Sequence, residues 1–347
     1  MMDYEINNLK DYIEVINEVC LDTSRYFNNP FISFYNHNKF QNTELEKYFS
    51  AIIKNDKKKF ENNPEKNETD LNKKFDTFSD DQIKFFYRGH CNSEYKLSPS
   101  VFRGNNWDYE DVYYHEMIVQ CPNHFQFDSH LDKLVTMQHY DCPTRLLDIT
   151  SNPLVALYFA CKNFSNKDHS NIEGEVIIFS TLSKEMVYSD SDKALILSCL
   201  PRFDKDDKNK LLQKANEYLD DGKFKQVSGG SKYHDEIVEK FYHEITNEVP
   251  SFKRELIPLD LLKPLFVQPN KTNGRIVKQD GAFIISGLSS NVVDATEKLE
   301  ALACAKIKIK NKTNILNELS LLGIHEASLF PEVDKVAHYL KEKIEYR

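Results

Sequence analysis

Glycine is scarce, with 10 in 347 residues. Each one is therefore expected to mark a place where the backbone is constrained. Cysteine is present but unpatterned. The seven stand at positions 20, 91, 121, 142, 161, 199 and 304, an odd number with no CxxC spacing. That argues against a disulfide framework and a structural zinc site, and suits a reducing compartment. No apolar stretch reaches the roughly 18 residues that a membrane span needs. Met1-Met2-Asp3-Tyr4-Glu5 lacks the basic region and apolar run of a signal peptide. The expectation is a soluble, cytoplasmic protein with no membrane partner. A basic excess is missing too: Lys+Arg number 45 against 54 Asp+Glu, a net charge of −9. Such a chain does not attract polyphosphate over its whole surface, although a local basic patch stays open.

Familiar catalytic signatures are absent. There is no GxGxxG, GxxxxGK[ST], GxSxG or HExxH. His115-Glu116 has no second His at the required spacing, and His234-Asp235-Glu236 and His243-Glu244 sit in a charged helical stretch that reads as solvated. No metal is expected.

What is present supports a substantial core: 40% hydrophobic residues, with 23 Phe and 18 Tyr. Residues 1–53 read as helical, with Leu9, Tyr12, Ile13, Ile16 and Val19 on one face and further apolar groups at Phe31–Phe40 and Leu45–Ile53. The charged run 54–75 is the best domain boundary. The spacing then predicts strands at Ile83–Tyr87, Thr144–Ile149, Glu175–Ser180, Leu265–Gln268, Arg275–Val277, Ala282–Ser286 and Lys306–Lys310. Helices are expected over Tyr109–Val119, Leu131–Gln138, Leu154–Cys161, Lys193–Leu219 with a polar insert at 204–210, Leu316–Leu322 and Glu332–Ile344. Ala156 and Ala160 are small enough for close packing, a turn is expected at Asn273-Gly274, and 221–233 reads as a mobile Gly/Ser/Lys stretch. The fold class is α+β: a mixed, mostly antiparallel sheet core with flanking helices, plus an N-terminal helical segment.

Three segments hold polar residues against strand ends, where side chains can be held rigidly. In Tyr87-Arg88-Gly89-His90, Arg88 can grip a phosphate or carboxylate, with Gly89 allowing close approach; the plain alternative is a surface Arg in a turn. In the run from Gln138 to Pro153, His139 can move protons near neutral pH, Tyr140 can stack on a flat heterocycle, and Thr150 and Ser151 stand at a helix start. Here the alternative is structural: Arg145 pairs with Asp148, and Ser151 only caps its helix. In the third, Gln279 and Gly281 flank Asp280 before an apolar strand, where a side-chain amide can orient a hydroxyl, or where the Gly merely serves a β-turn.

Taken together, Tyr87-Arg88-Gly89-His90, Tyr95-Lys96-Leu97 with Pro99 to Arg103, Gln138-His139-Tyr140 with Pro143 to Asp148, and Asn152-Pro153-Leu154 with Ala156, Leu157, Phe159 and Ala160 resemble the FRG domain. Tyr87 stands where that family carries Phe. The later signature is matched by Arg275, Gln279, Gly281 and Phe283, and the closing one by Leu329-Phe330-Pro331-Glu332. The resemblance implies a domain over 82–340, preceded by 1–75 as a helical segment and linker that can dock a protein partner. It also implies a bacterial role in stress, toxicity or phage defence. The order of Arg, Thr/Ser and helix is more distantly similar to ADP-ribosyltransferases. That likeness implies NAD as cofactor, Arg88 on the diphosphate, and Thr150 and Ser151 on the nicotinamide side, within a ligand surface that also takes in His90, Gln138, Tyr140, Thr144, Arg145, Asp148, Gln279 and Gly281. Asp280, Glu116 or Glu332 would supply the carboxylate. Three readings stand open: an NAD-using transferase, a nucleotide sensor without turnover, and a nucleotide- or nucleic-acid-processing enzyme with His139 as acid or base.

Overall fold

The computed structural model describes residues 1–27, 83–126, 129–162, 172–220, 227–228, 235–271 and 273–345. The apolar groups at Phe31–Phe40 and Leu45–Ile53, the charged run 54–75 and most of 221–233 lie outside the described residues, as does His234.

In chain order the first elements are β1 (Met2–Ile6), α1 (Leu9–Phe27), β2 (Ile83–His90), α2 (Glu110–Gln120), α3 (His130–His139), β3 (Leu146–Thr150), α4 (Pro153–Cys161) and β4 (Gly174–Leu182). The middle of the chain forms β5 (Val187–Tyr188), α5 (Asp192–Cys199), α6 (Lys205–Asp220), β6 (Val227–Ser228), α7 (Glu236–Glu248), β7 (Glu255–Leu256), α8 (Pro258–Leu262) and β8 (Leu265–Gln268). It closes with α9 (Gly274–Lys278), β9 (Gly281–Ile285), α10 (Val292–Glu300), β10 (Ala303–Ile309), α11 (Lys312–Leu321), α12 (Glu326–Leu329) and α13 (Val333–Glu345).

Eight strands form one sheet in the order β1-β10-β4-β2-β3-β9-β8-β5, and β6 pairs with β7 separately. The pairs β1/β10 and β5/β8 are parallel and the other five neighbours antiparallel, so the fold is α+β on a mostly antiparallel sheet. Strand alternation sorts the apolar residues onto two faces. One face carries two cores side by side. Tyr87, Val176, Ile178 and Ile307 pack with residues of α1, α4 and α11. Leu146, Val267, Phe283 and Ile285 pack with residues of α3, α5, α6 and α7. On the opposite face Phe86, Ile149, Ile177, Phe179, Phe266 and Ile284 form a smaller core with Leu299 of α10.

Several expectations need correction. Residues 2–6 are a strand, not helix, because Tyr4 and its neighbours find an unpaired edge on β10. In α1, Tyr12, Ile16 and Val19 are buried as the periodicity requires, but Ile13 is exposed. Arg275–Val277 is helix α9, not strand, since Asn273 caps it through Arg275 N instead of making a hairpin turn. The polar residues 204–210 open α6 instead of interrupting a helix: Asp204 accepts from Asp207 N in the first turn.

One packing detail fixes the heart of the sheet. A Cβ at Gly89 would meet Ala156 O at 1.9 Å, and one at Gly174 would meet Ala160 O at 2.2 Å. The small residues of α4 thus lie directly on two side-chain-free points of β2 and β4. Gly89 serves this contact; the approach it allows is that of a helix, not of a ligand.

Candidate functional site

A cleft of about 690 Å³ opens where the C-terminal ends of β3, β5 and β8 meet the start of β9. Its size is that of small-molecule sites. One wall carries Ser151, Asp280 and Gly281; the other carries Tyr188 at the end of β5 with Ser189 and Asp190, and Gln268 at the end of β8 with the residues through Lys271. The first wall is tightly built. Thr150 Oγ1 donates to Gln279 O at 2.6 Å, and Ser151 N donates to Asp280 O at 3.1 Å. Asn152 Nδ2 donates to Asp280 Oδ2 at 3.3 Å. Asp280 itself takes φ 47°, a left-handed conformation that costs a non-glycine residue energy and here turns α9 into β9. Asn152, not Ser151, caps α4, accepting from Leu154 N. The Ser151 hydroxyl, on an exposed residue at the cleft wall, donates to Asp280 O at 3.4 Å.

Arg88 lies one strand step away, on the same face as Phe86. The strands β2 and β3 pair only at Tyr87↔Thr150. Beyond that point they part, and Arg88 Nη1 crosses to Asp148 O at 2.7 Å with Asp148 Oδ2 at 3.7 Å. Gln138 Nε2 donates to Asp148 Oδ2 at 2.9 Å, and Thr144 Oγ1 donates to Gln138 Oε1 at 2.5 Å. Arg88 Nε donates to His90 Nε2 at 3.0 Å. Because a guanidinium keeps its proton, His90 must be neutral and accept at Nε2. Burial, with Arg88, Arg103 and Lys306 adding, pushes its imidazole down to about 2. The sign follows: below about pH 6.5 the unfolded chain binds a proton that the folded chain refuses. His90 therefore makes stability fall with acidification, by up to about 1.4 kcal/mol per pH unit. Urea unfolding of wild type and His90→Gln between pH 7 and 5 checks it, the variant showing the shallower slope.

His139 belongs to a third group. Its Nε2 lies 3.9 Å from Glu332 Oε1, which accepts from Arg275 Nε at 2.5 Å. Arg275 also stacks over Phe330, and Gln279 Nε2 donates to Leu329 O at 3.2 Å. Burial and then Arg275 lower the His139 imidazole from its ordinary value. Tyr140 packs its ring edge-on to His139 at 4.8 Å and is 56% exposed.

Residues 83–169 match the model of the FRG domain. The chain carries an FRG domain. No curated protein and no solved structure matches the chain. The matched segment of the FRG domain supplies Arg88, the Gln138–Asp148 network and Ser151, whereas Asp280, Tyr188 and Lys271 come from residues beyond it.

Within the FRG segment, two residues singled out from the sequence have other tasks. Arg145 is fully buried and pairs with Glu110 at 2.6 and 3.0 Å, not with Asp148. Glu116 sits exposed on α2, where it accepts from Gln120 Nε2 of the same helix at 3.3 Å. The far wall of the cleft was not foreseen. Tyr188, 68% exposed in a two-residue strand, has no periodic signal, and only the parallel β5/β8 pair brings it to Gln268. Among the described residues no group of three or more His, Cys, Asp or Glu is placed to hold a metal, and no helix is long and apolar enough to cross a membrane.

Proposed function

We propose that this protein binds a nucleotide in the cleft between Ser151–Asp280 and Tyr188–Lys271, with NAD the first candidate. The observation that carries the reading is the composition of that one cleft. It combines an exposed tyrosine ring, two serine hydroxyls, the carboxylates of Asp190 and Asp280, the latter set by a strained turn, two side-chain amides and one ammonium. A ring can stack on a base, worth about 1–3 kcal/mol per base in single-stranded nucleic acids. Asp280 can accept from a ribose diol, and Lys271 can meet a phosphate. Arg88 is not among the lining residues, and two of its nitrogens are already engaged. Its part in this reading is to brace the parting of β2 and β3 beside the cleft.

Turnover is a second reading, favoured by the placement of Asp280. Cleavage of NAD breaks the bond between ribose C1′ and the nicotinamide nitrogen, which leaves with the electron pair. Positive charge develops on the ribose until water or an acceptor adds, and a carboxylate alongside stabilises it. An enzyme that drains NAD would arrest the cell around it, which fits a bacterial effector in stress or phage defence.

The test is thermal unfolding with NAD and with ADP-ribose, alongside nicotinamide release. Ligand at 100 times its Kd stabilises by about 2.7 kcal/mol. Wild type is expected to shift upward and Asp280→Asn, which keeps the turn, to lose most of the shift. Nicotinamide release that Asp280→Asn abolishes marks an enzyme; a shift without release marks a sensor. No shift with either nucleotide contradicts the reading.

A further inference from the structure

The last helix shows its apolar side to solvent. In α13, Val333 is 85% exposed, Leu340 50% and Ile344 68%, and Ala337 is exposed with them. Their spacing of four, three and four sets all four on one narrow stripe, the a and d positions of a heptad. The stripe is not a loose end. The inner side of α13 is docked: Tyr339 stacks on His325 at 4.4 Å with rings 8° apart, and His338 Nδ1 lies 3.2 Å from Glu326 Oε2. The helix is thus held with its apolar row facing away from its own domain.

We propose that α13 pairs antiparallel with α13 of a second copy of this chain. The helix is self-complementary in that direction. Reversed on itself, Val333 meets Ile344 of the second copy, and Ala337 meets Leu340, so that a small residue faces a large one at each inner position. The charges agree. Asp334 and Lys341 lie seven apart on the same flank of the stripe. In an antiparallel pair like flanks face each other in reverse order, so Asp334 of each copy faces Lys341 of the other. This closed two-fold contact buries the same patch on both copies. A contact of two heptads is small against the 1,200–2,000 Å² typical of stable interfaces, so association is weak and concentration-dependent.

Sedimentation equilibrium of the full chain tests it. Wild type is expected to move from one to two chain masses as concentration rises. Leu340→Glu with Ile344→Glu, both at exposed positions where folding is not at stake, is expected to weaken the association at least tenfold. Asp334→Lys alone is expected to weaken it as well, and Asp334→Lys with Lys341→Asp to restore it. A chain that stays monomeric at every concentration overturns the proposal. So does a dimer that survives the double glutamate variant, or one that the charge exchange fails to rescue. Circular dichroism on each variant keeps loss of association apart from loss of fold.

Discussion

Glu110→Ala is expected to destabilise the protein by about 3–5 kcal/mol, enough to remove most of the stability of a typical domain. Among the described residues, Glu110 is the carboxylate that two buried cations, Arg145 and Lys208, share. It accepts from Arg145 Nη2 at 2.6 Å and from Lys208 Nζ at 2.9 Å, with all three side chains all but fully buried. Burial alone would raise the Glu110 carboxyl, but Arg145 and Lys208 together hold it below the ordinary value. Lys208 also lies over the Trp107 ring at 4.3 Å, and Arg145 Nη1 donates to Ser286 O at 3.0 Å. Deleting Glu110 leaves two positive charges facing each other without water, and their repulsion adds to the desolvation of each. The same three positions replaced together by Met, Leu and Met are expected to lose far less, because no charge is then stranded. Urea unfolding at pH 7 measures both. A loss under 1 kcal/mol for Glu110→Ala would mean that water reaches the triad.

Gly89→Ala is expected to cost about 3 kcal/mol or more, the upper range of core overpacking. The added Cβ would lie 1.9 Å from Ala156 O and 2.7 Å from Ala160 N. Both are backbone atoms of α4, so no side chain can swing aside and either β2 or α4 must move. Gly104→Ala is the contrast. Gly104 has φ 59° with nothing within 4 Å of a Cβ, so only the left-handed conformation is penalised, at about 1 kcal/mol. Thermal unfolding of the two variants side by side checks the ranking, and equal losses would contradict the close packing of α4 on β2.

The sequence carried the sheet-forming runs well where period and caps agreed. Leu265–Gln268 is a strand with the bounds its composition suggests, and Asn152-Pro153 starts α4 because a capping amide precedes a residue with fixed φ. It carried little where a long-range partner decides. Met2–Ile6 becomes a strand only because β10 offers an edge some 300 residues away. Arg275–Val277 looks β-branched locally, yet Asn273 caps it into a turn of helix while Glu332 and Phe330 hold Arg275. The candidate site divided in the same way. Ser151, Asp280 and Gly281 were legible from helix and strand starts, and they share the cleft. Arg145 looked surface-active but is sealed by Glu110, a partner 35 positions upstream that no local spacing reveals. Tyr188 and Lys271 were invisible because their importance comes from sheet order, not from any motif.

Calorimetric titration with NAD tests nucleotide binding in the cleft most directly. Wild type is expected to bind one nucleotide per chain. Tyr188→Ala, on an exposed ring whose loss leaves the core intact, is expected to weaken binding about tenfold or more, in line with the loss of one stacked base. Asp280→Asn is expected to weaken it as well. Binding that neither substitution alters would place the nucleotide elsewhere, and no binding of NAD at all would contradict the nucleotide reading of this cleft.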